Sequence, residues 1–359
     1  MAKTKRIPIF DGHNDTLMRY FLPGKTQEDK SFFERSDKGH IDMVRAREGG
    51  LGGGFFAVYV PPPYKKRLKK FNFTDFVTEK GYAAPLAEPI KYQHAYETTM
   101  RMAAGLFQIE RESNGQFKVV RTADELAKSL RDGVMAAILH FEGAEAIDTD
   151  LNSLEVFYQA GLRSIGIVWS RPNDFAEGVP FAFPQSPDTG PGLTDAGKAL
   201  VRACNQKKIL IDLSHLNEKG FWDVAKISDA PLVATHSNVH AITPLTRNLT
   251  DKQLDAIKET DGMVGLNFGL SFLREDGKND PDTPLEVMVK HIDHLVERLG
   301  IDKVGFGSDF DGTGIPKDIG DASGLPNLIE ALRKSGYDDQ ALRKIAHENW
   351  IRVLRKTWN

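Results

Sequence analysis

The segment Phe10-Asp11-Gly12-His13-Asn14-Asp15-Thr16-Leu17 ends an apolar run on an imidazole and a carboxylate two residues apart. In an extended strand such residues project to the same side, so His13 and Asp15 can reach one ion together. Comparable endings recur along the chain: Glu142 in MAAILHFEG, His215 in KILIDLSH, His236 in APLVATHS and Asp309 in KVGFGSDFDG. A single histidine at a strand end is ordinarily a hydrogen-bonded core residue, and the repetition is what turns the reading towards metal. Carboxylates gathered at one place repel unless cations sit among them. Imidazole nitrogens with a carboxylate available for sharing suit zinc or a similar first-row ion, and the donors suffice for two. His140, two residues before Glu142, is expected one layer deeper, packed or supporting; His240, His291, His294 and His347 fall in helical or loop segments with solvated or structural roles.

Positioning these residues requires eight strands, read at 7–15, 53–60, 135–143, 163–170, 208–215, 230–237, 262–269 and 303–312. Several are apolar on both faces, as in a parallel sheet covered by helices. Helical periodicity lies between them, at about 88–113, 124–131, 153–160, 194–206, 218–227, 250–259, 284–299 and 325–334. Thr194 and Thr250 read as helix starts, because a hydroxyl there accepts from a free first-turn amide. This alternation predicts a closed α/β structure, a (β/α)8 TIM barrel of the metal-dependent hydrolase type, as a single domain over 1–359. Two further helices, 339–346 and 347–356, are expected to close the bottom or one flank. The connections 61–87 and 171–192 are long and rich in Pro and Gly, which assigns them to the active face.

Composition narrows the partners. The chain of 359 residues carries 47 basic and 50 acidic side chains, a net charge of −3, which argues against nucleic acid or an anionic membrane surface. The one basic run, Tyr64 to Phe71, reads as a solvated loop. The single cysteine, Cys204, excludes an intramolecular disulfide and a thiolate metal cluster, and its helical context makes it an inert buried thiol. With neither a signal-like segment nor an apolar stretch long enough to span a bilayer, a cytoplasmic location is expected.

DGHND, FEG at Glu142, GLTDAGKALVRACNQ leading into IDLSH, then THS, Arg247-Asn248, GSDFDG and ENWIRVL resemble the renal or membrane dipeptidase family of zinc peptidases, within the amidohydrolase superfamily. The match runs nearly end to end and in order. The resemblance implies two zinc ions, one held by His13, Asp15 and Glu142 and the other by Glu142, His215 and His236, with Glu142 bridging. It implies hydrolysis of dipeptides by a metal-bridging hydroxide, with Asp309 as the proton-transferring acid and base. Arg247 takes the place of the arginine that grips the substrate carboxylate, and tolerance of a carboxyl-terminal D-residue and a homodimer are further implications. One position departs: better-known members carry a histidine after the fourth strand, whereas this chain reads Val168-Trp169-Ser170-Arg171-Pro172-Asn173. Trp169 and Asn173 become candidate substrate contacts there, with Arg171 another possible donor. Gly269, after Asn267-Phe268, hints at a differently shaped pocket. The alternatives are another binuclear amidohydrolase, such as a lactonase, phosphotriesterase, deaminase or N-acyl amino acid hydrolase, and a barrel kept as a scaffold. Enzymes bridged by a lysine carbamate need a lysine ending strand four, which RSIGIVWS lacks.

Overall fold

Short runs of β-branched and aromatic residues, buried on both faces, become the strands of the molecule. The computed structural model describes residues 6–22, 28–63 and 76–359. The strands are β1 (Ile9–Asn14), β2 (Leu51–Tyr59), β3 (Met135–Glu142), β4 (Leu162–Gly166), β5 (Leu210–Asp212), β6 (Val233–Ala234), β7 (Met263–Leu266) and β8 (Val304–Phe306). Each pairs in parallel with its neighbours in sequence, and β1 also pairs with β8. The sheet therefore closes, and the helices between strands cover its outside, giving the expected (β/α)8 barrel.

The helices start where the sequence places hydroxyls and amides. Thr194 accepts from the Gly197 amide, and Thr250 forms a reciprocal box with Gln253. Cys204 is fully buried, and burial pushes its thiol up to about 12. Among the described residues no helix is long and apolar enough to cross a membrane.

The tail closes the bottom. It runs as helix Asp339–Arg343, a π-helical turn Lys344–Glu348, and helix Asn349–Trp358, rather than breaking between 346 and 347. Trp350 is fully buried and packs on Phe10 and Phe55, with ring centroids 6.4 and 5.2 Å away. Its indole nitrogen donates to the Phe306 carbonyl at 3.1 Å. A Cβ at Gly12, Gly265 or Gly305 would lie 2.5, 3.0 or 2.7 Å from the indole, so three strands need glycine to admit it.

Sequence periodicity missed the short elements. Helices Thr16–Phe21 and Met43–Gly49 occupy the first connection. Strands Val77–Thr78 and Gly81–Ala83 join Ala182–Phe183, from the other long connection, in an antiparallel sheet. The basic run Tyr64 to Phe71 lies outside the described residues.

Candidate metal centre

All six residues singled out above come to the carboxyl-terminal rim of the barrel. His13 and Glu142 end β1 and β3, and the others follow their strands by a few residues. His215 and Asp309 adopt left-handed backbone, φ 68° and 60°, sparsely populated for side chains of their size. The Asp309 amide donates to the His13 carbonyl and the Asp15 amide to the Phe310 carbonyl, locking the β8 turn to the end of β1. Asp311 completes that lock, accepting from Thr16 Oγ1 at 3.0 Å and from the His40 amide at 2.6 Å.

Glu142 lies at the centre. Its oxygens are 3.7 Å from His13 Nε2, 3.0 Å from His215 Nε2 and 3.8 Å from His236 Nε2. His13 Nε2 is also 3.6 Å from Asp15, and donor atoms of His13, Asp15 and Asp309 fall within 4.8 Å of one another. Burial, then the Asp15 charge, pushes the Glu142 carboxyl up to about 8. Burial also raises Asp309, to about 6, with Asp15 adding to it. Burial works against charge on His13, yet the Glu142 and Asp15 carboxylates hold it well above the usual imidazole range. Burial drives His215 and His236 well below that range, helped by Arg247 at His215 and by His13 at His236.

The donor set fits cations. Both ring nitrogens of His13 and Asp15 Oδ1 are buried without a hydrogen-bond partner, a costly state for polar atoms unless something coordinates them. The Thr235 hydroxyl donates its one proton to Asp212 at 2.5 Å, so its oxygen accepts from His236 Nδ1 at 2.8 Å. That tautomer leaves the His236 Nε2 lone pair aimed at the centre, only 3.2 Å from His215 Nε2. Ser170 Oγ sits 2.9 Å from His215 Nδ1 and holds that ring in its orientation.

Sequence reasoning missed this supporting layer. Asp212, the last residue of β5, accepts from the Ser214 and Thr235 amides at 3.0 and 2.8 Å, and is held well below the usual carboxylate range. Although burial opposes its charge, the hydrogen bonds it accepts on the His236 and Thr235 side outweigh that cost. The signal was present as an acid inside the apolar run KILIDL. Asn267 was also overlooked as a support; its amide donates to Asp309 Oδ2 at 2.8 Å. His140 lies below His13, bonded to Ser164 at 2.9 Å, in the deeper layer expected for it.

A cleft of about 340 Å³ opens over the centre, and Asp15, Glu142, His215 and Asp309 form its floor. Trp169 lines its wall. Arg247 is 3% exposed and sits behind His236, donating to its carbonyl and to Ser237 Oγ, both at 3.0 Å, with Nε unbonded. Asn173 is not brought to the cleft. Its amide donates to the Ile167 carbonyl at 2.7 Å and its oxygen accepts from the Phe175 and Ala176 amides, so loop closure consumes the side chain. Arg171 does not line the cleft either: it is fully buried, 3.2 Å from Glu145.

Known proteins share this architecture and sequence. A solved metallo peptidase from Rhodobacter sphaeroides, liganded with a phosphinate mimic of the dipeptide L-Ala-D-Ala, superposes with a TM-score of 0.93 at 51% identity, covering 99% of this chain and 100% of that one. An uncharacterized protein in the pqqA 5′ region of Klebsiella pneumoniae is 50% identical over 253 residues, 70% of this chain and 93% of its own length. Dipeptidase tcpJ of Claviceps purpurea is 28% identical over 350 residues, 96% of this chain and 76% of its own. The family model described as membrane dipeptidase, peptidase family M19, matches residues 2–359. With that match spanning the chain and the metal-ligand geometry at its rim, the protein belongs to the membrane dipeptidase family of metallopeptidases.

Proposed function

We propose that the protein is a zinc-dependent dipeptidase that uses two zinc ions and accepts a D-residue at the carboxyl-terminal position. His13, Asp15 and Glu142 would hold one ion, and Glu142, His215 and His236 the other. Bound there, zinc supplies Lewis acidity, which acidifies a water nucleophile and polarises the scissile carbonyl. The observation that carries the reading is the convergence of these side chains with His13 Nδ1 and Nε2 and Asp15 Oδ1 buried and unpartnered.

Asp309 is the proton carrier. Asn267 fixes Oδ2, which leaves Oδ1 to accept the proton of the attacking water and to deliver it to the leaving amine. Arg247 anchors the substrate carboxylate through Nε and the adjoining terminal nitrogen, a side-on pair suited to carboxylate. The cleft sits near the low end of the range of roughly 300–1,000 Å³ for small-molecule pockets, which favours a dipeptide over a longer chain. The phosphinate-bound relative supports the D-residue.

The test is hydrolysis of L-Ala-L-Ala and L-Ala-D-Ala by chelator-stripped and zinc-reloaded protein, with metal analysis and with a lactone and a phosphotriester as controls. Both dipeptides should be cleaved only after zinc is restored. Asp309→Asn should keep its zinc and lose about 10²- to 10⁴-fold in kcat. Turnover of the controls alone, or an unimpaired Asp309→Asn, refutes the assignment.

A further inference from the structure

The cleft wall carries information about the substrate that the metal centre does not. Its aromatic members are Tyr59 at the end of β2, Tyr82, Trp169 and Phe181 from the connections after β2 and β4, and Phe272, after β7, which stacks on Phe181 at 6.1 Å. Tyr59 and Trp169 lie 5.2 Å apart and Trp169 and Phe181 5.8 Å apart, both edge to face. Behind them, the Arg171 guanidinium stands 4.7 Å from the Trp169 ring and 5.2 Å from the Tyr59 ring. All three of its side-chain nitrogens lack a hydrogen bond, as do both oxygens of Glu145, its ion-pair partner. Burying such a pair is costly and a poor source of stability. What it achieves is a fixed cation against two ring faces, its charge cancelled before it reaches the cleft.

Direction follows from topology. In a ring of eight strands β2 lies opposite β6, and Arg247, the proposed carboxylate anchor, follows β6. A dipeptide held there by its carboxyl end, with its scissile bond over the metal ligands, extends its amino-terminal residue across the rim towards β2, where Tyr59 ends the strand and Trp169 packs against it.

On the dipeptidase reading above, we infer that the Tyr59, Trp169 and Phe181 wall is a preformed subsite for a large apolar or aromatic side chain on the amino-terminal residue of the substrate, and that Arg171 is the positioning residue that holds its rings. Acidic side chains are disfavoured because the wall offers them ring faces, and the Arg171 cation stands behind those rings, paired with Glu145.

The experiment measures kcat/KM of the zinc-loaded protein on Ala-Ala, Leu-Ala, Phe-Ala and Asp-Ala, all L,L. Leu-Ala and Phe-Ala should exceed Ala-Ala by about tenfold or more, the scale of discrimination an apolar pocket provides, and Asp-Ala should fall below it. In Trp169→Ala the Leu-Ala to Ala-Ala ratio should collapse towards one. The double variant Arg171→Met with Glu145→Gln removes both buried charges and should lower the same ratio. A folding defect lowers both substrates together and leaves the ratio unmoved, so the ratio separates positioning from structure. Inhibition constants of phosphinate mimics bearing either side chain should change in parallel. A wild-type ratio near one, or a ratio unaffected by both variants, overturns the subsite and leaves the dipeptidase standing. Failure to cleave any of the four overturns the functional reading and the subsite with it.

Discussion

Gly312 offers the sharpest test of how the rim is assembled. It sits three residues after Asp309 in the β8 turn and donates its amide to the Asp309 carbonyl at 3.0 Å. Its backbone is outside the left-handed region, so the cost of a side chain there is steric. A Cβ would stand 2.2 Å from Asp15 Oδ2 and 2.2 Å from Asp309 Oδ1, a proposed metal ligand and the proposed proton carrier. Restoring ordinary contact at 3.4 Å obliges both oxygens to retreat by about 1.2 Å. A misplacement of about 1 Å costs on the order of 10²-fold in rate, or ~2.7 kcal/mol of barrier. Gly312→Ala should therefore lose about that factor in kcat/KM on L-Ala-L-Ala, with a depleted or weakened zinc site. The position is exposed, so the unfolding free energy should stay within about 0.5 kcal/mol of wild type. Paired measurements of kcat/KM, bound zinc and urea unfolding decide the matter. A Gly312→Ala protein with wild-type kcat/KM and full zinc would refute the claim that the two carboxylates must occupy their observed places.

Other perturbations act on separate parts of the molecule. Trp350→Ala empties the lower barrel and should cost about 3–5 kcal/mol in urea unfolding, through lost burial and the cavity left behind. Asp148 caps helix Asn152–Ala160 by accepting from the Asn152 and Ser153 amides at 3.2 and 2.7 Å; although burial opposes it, the Ser153 bonds hold its carboxyl down to about 2. A folded-state value below the usual 3.8 means that this stabilisation is fully present above 3.8 and is lost as pH falls through about 2. Asp148→Ala should thus be destabilised by about 0.5–2 kcal/mol at neutral pH, with the gap to wild type closing in acid. Zinc uptake by chelator-stripped protein should release protons and strengthen as pH rises, since Glu142 and His13 both hold protons more tightly in the ion-free cluster. Calorimetry in buffers of different ionisation enthalpy reads that release, and pH-independent uptake contradicts it.

The strands and the rim were legible because each carries its own mark. An apolar run ending in His13, Glu142, His215 or His236 is readable without its neighbours, and burial on both faces follows from the run itself. The elements that escaped are held by distant partners. Gly81–Ala83 is the central strand of its small sheet and takes one of its two partners, Ala182–Phe183, from about a hundred residues away, and helix Thr16–Phe21 stands on contacts to Asp311 and to the long helix Tyr92–Glu112. The side chains of Asn173 and Arg171 were misjudged for a related reason. Polar residues in a Pro- and Gly-rich loop read as available for substrate, whereas Asn173 spends its amide on loop closure and Arg171 turns inward to Glu145. Gly312 left no mark at all, since the need for an absent side chain arises only once Asp15 and Asp309 are brought together.

The tryptophan that floors the barrel has a bearing on how the chain reaches its native state. Phe10, in the first strand, and Trp350, in the final helix, complete one another's burial, so the closing contact spans nearly the whole polypeptide. Contacts of such separation are entropically expensive to form early and slow the approach to the native topology. Until the last helix docks, the lower ends of the strands remain an open apolar funnel, and an emerging chain lacking that helix is the species most prone to associate with others of its kind.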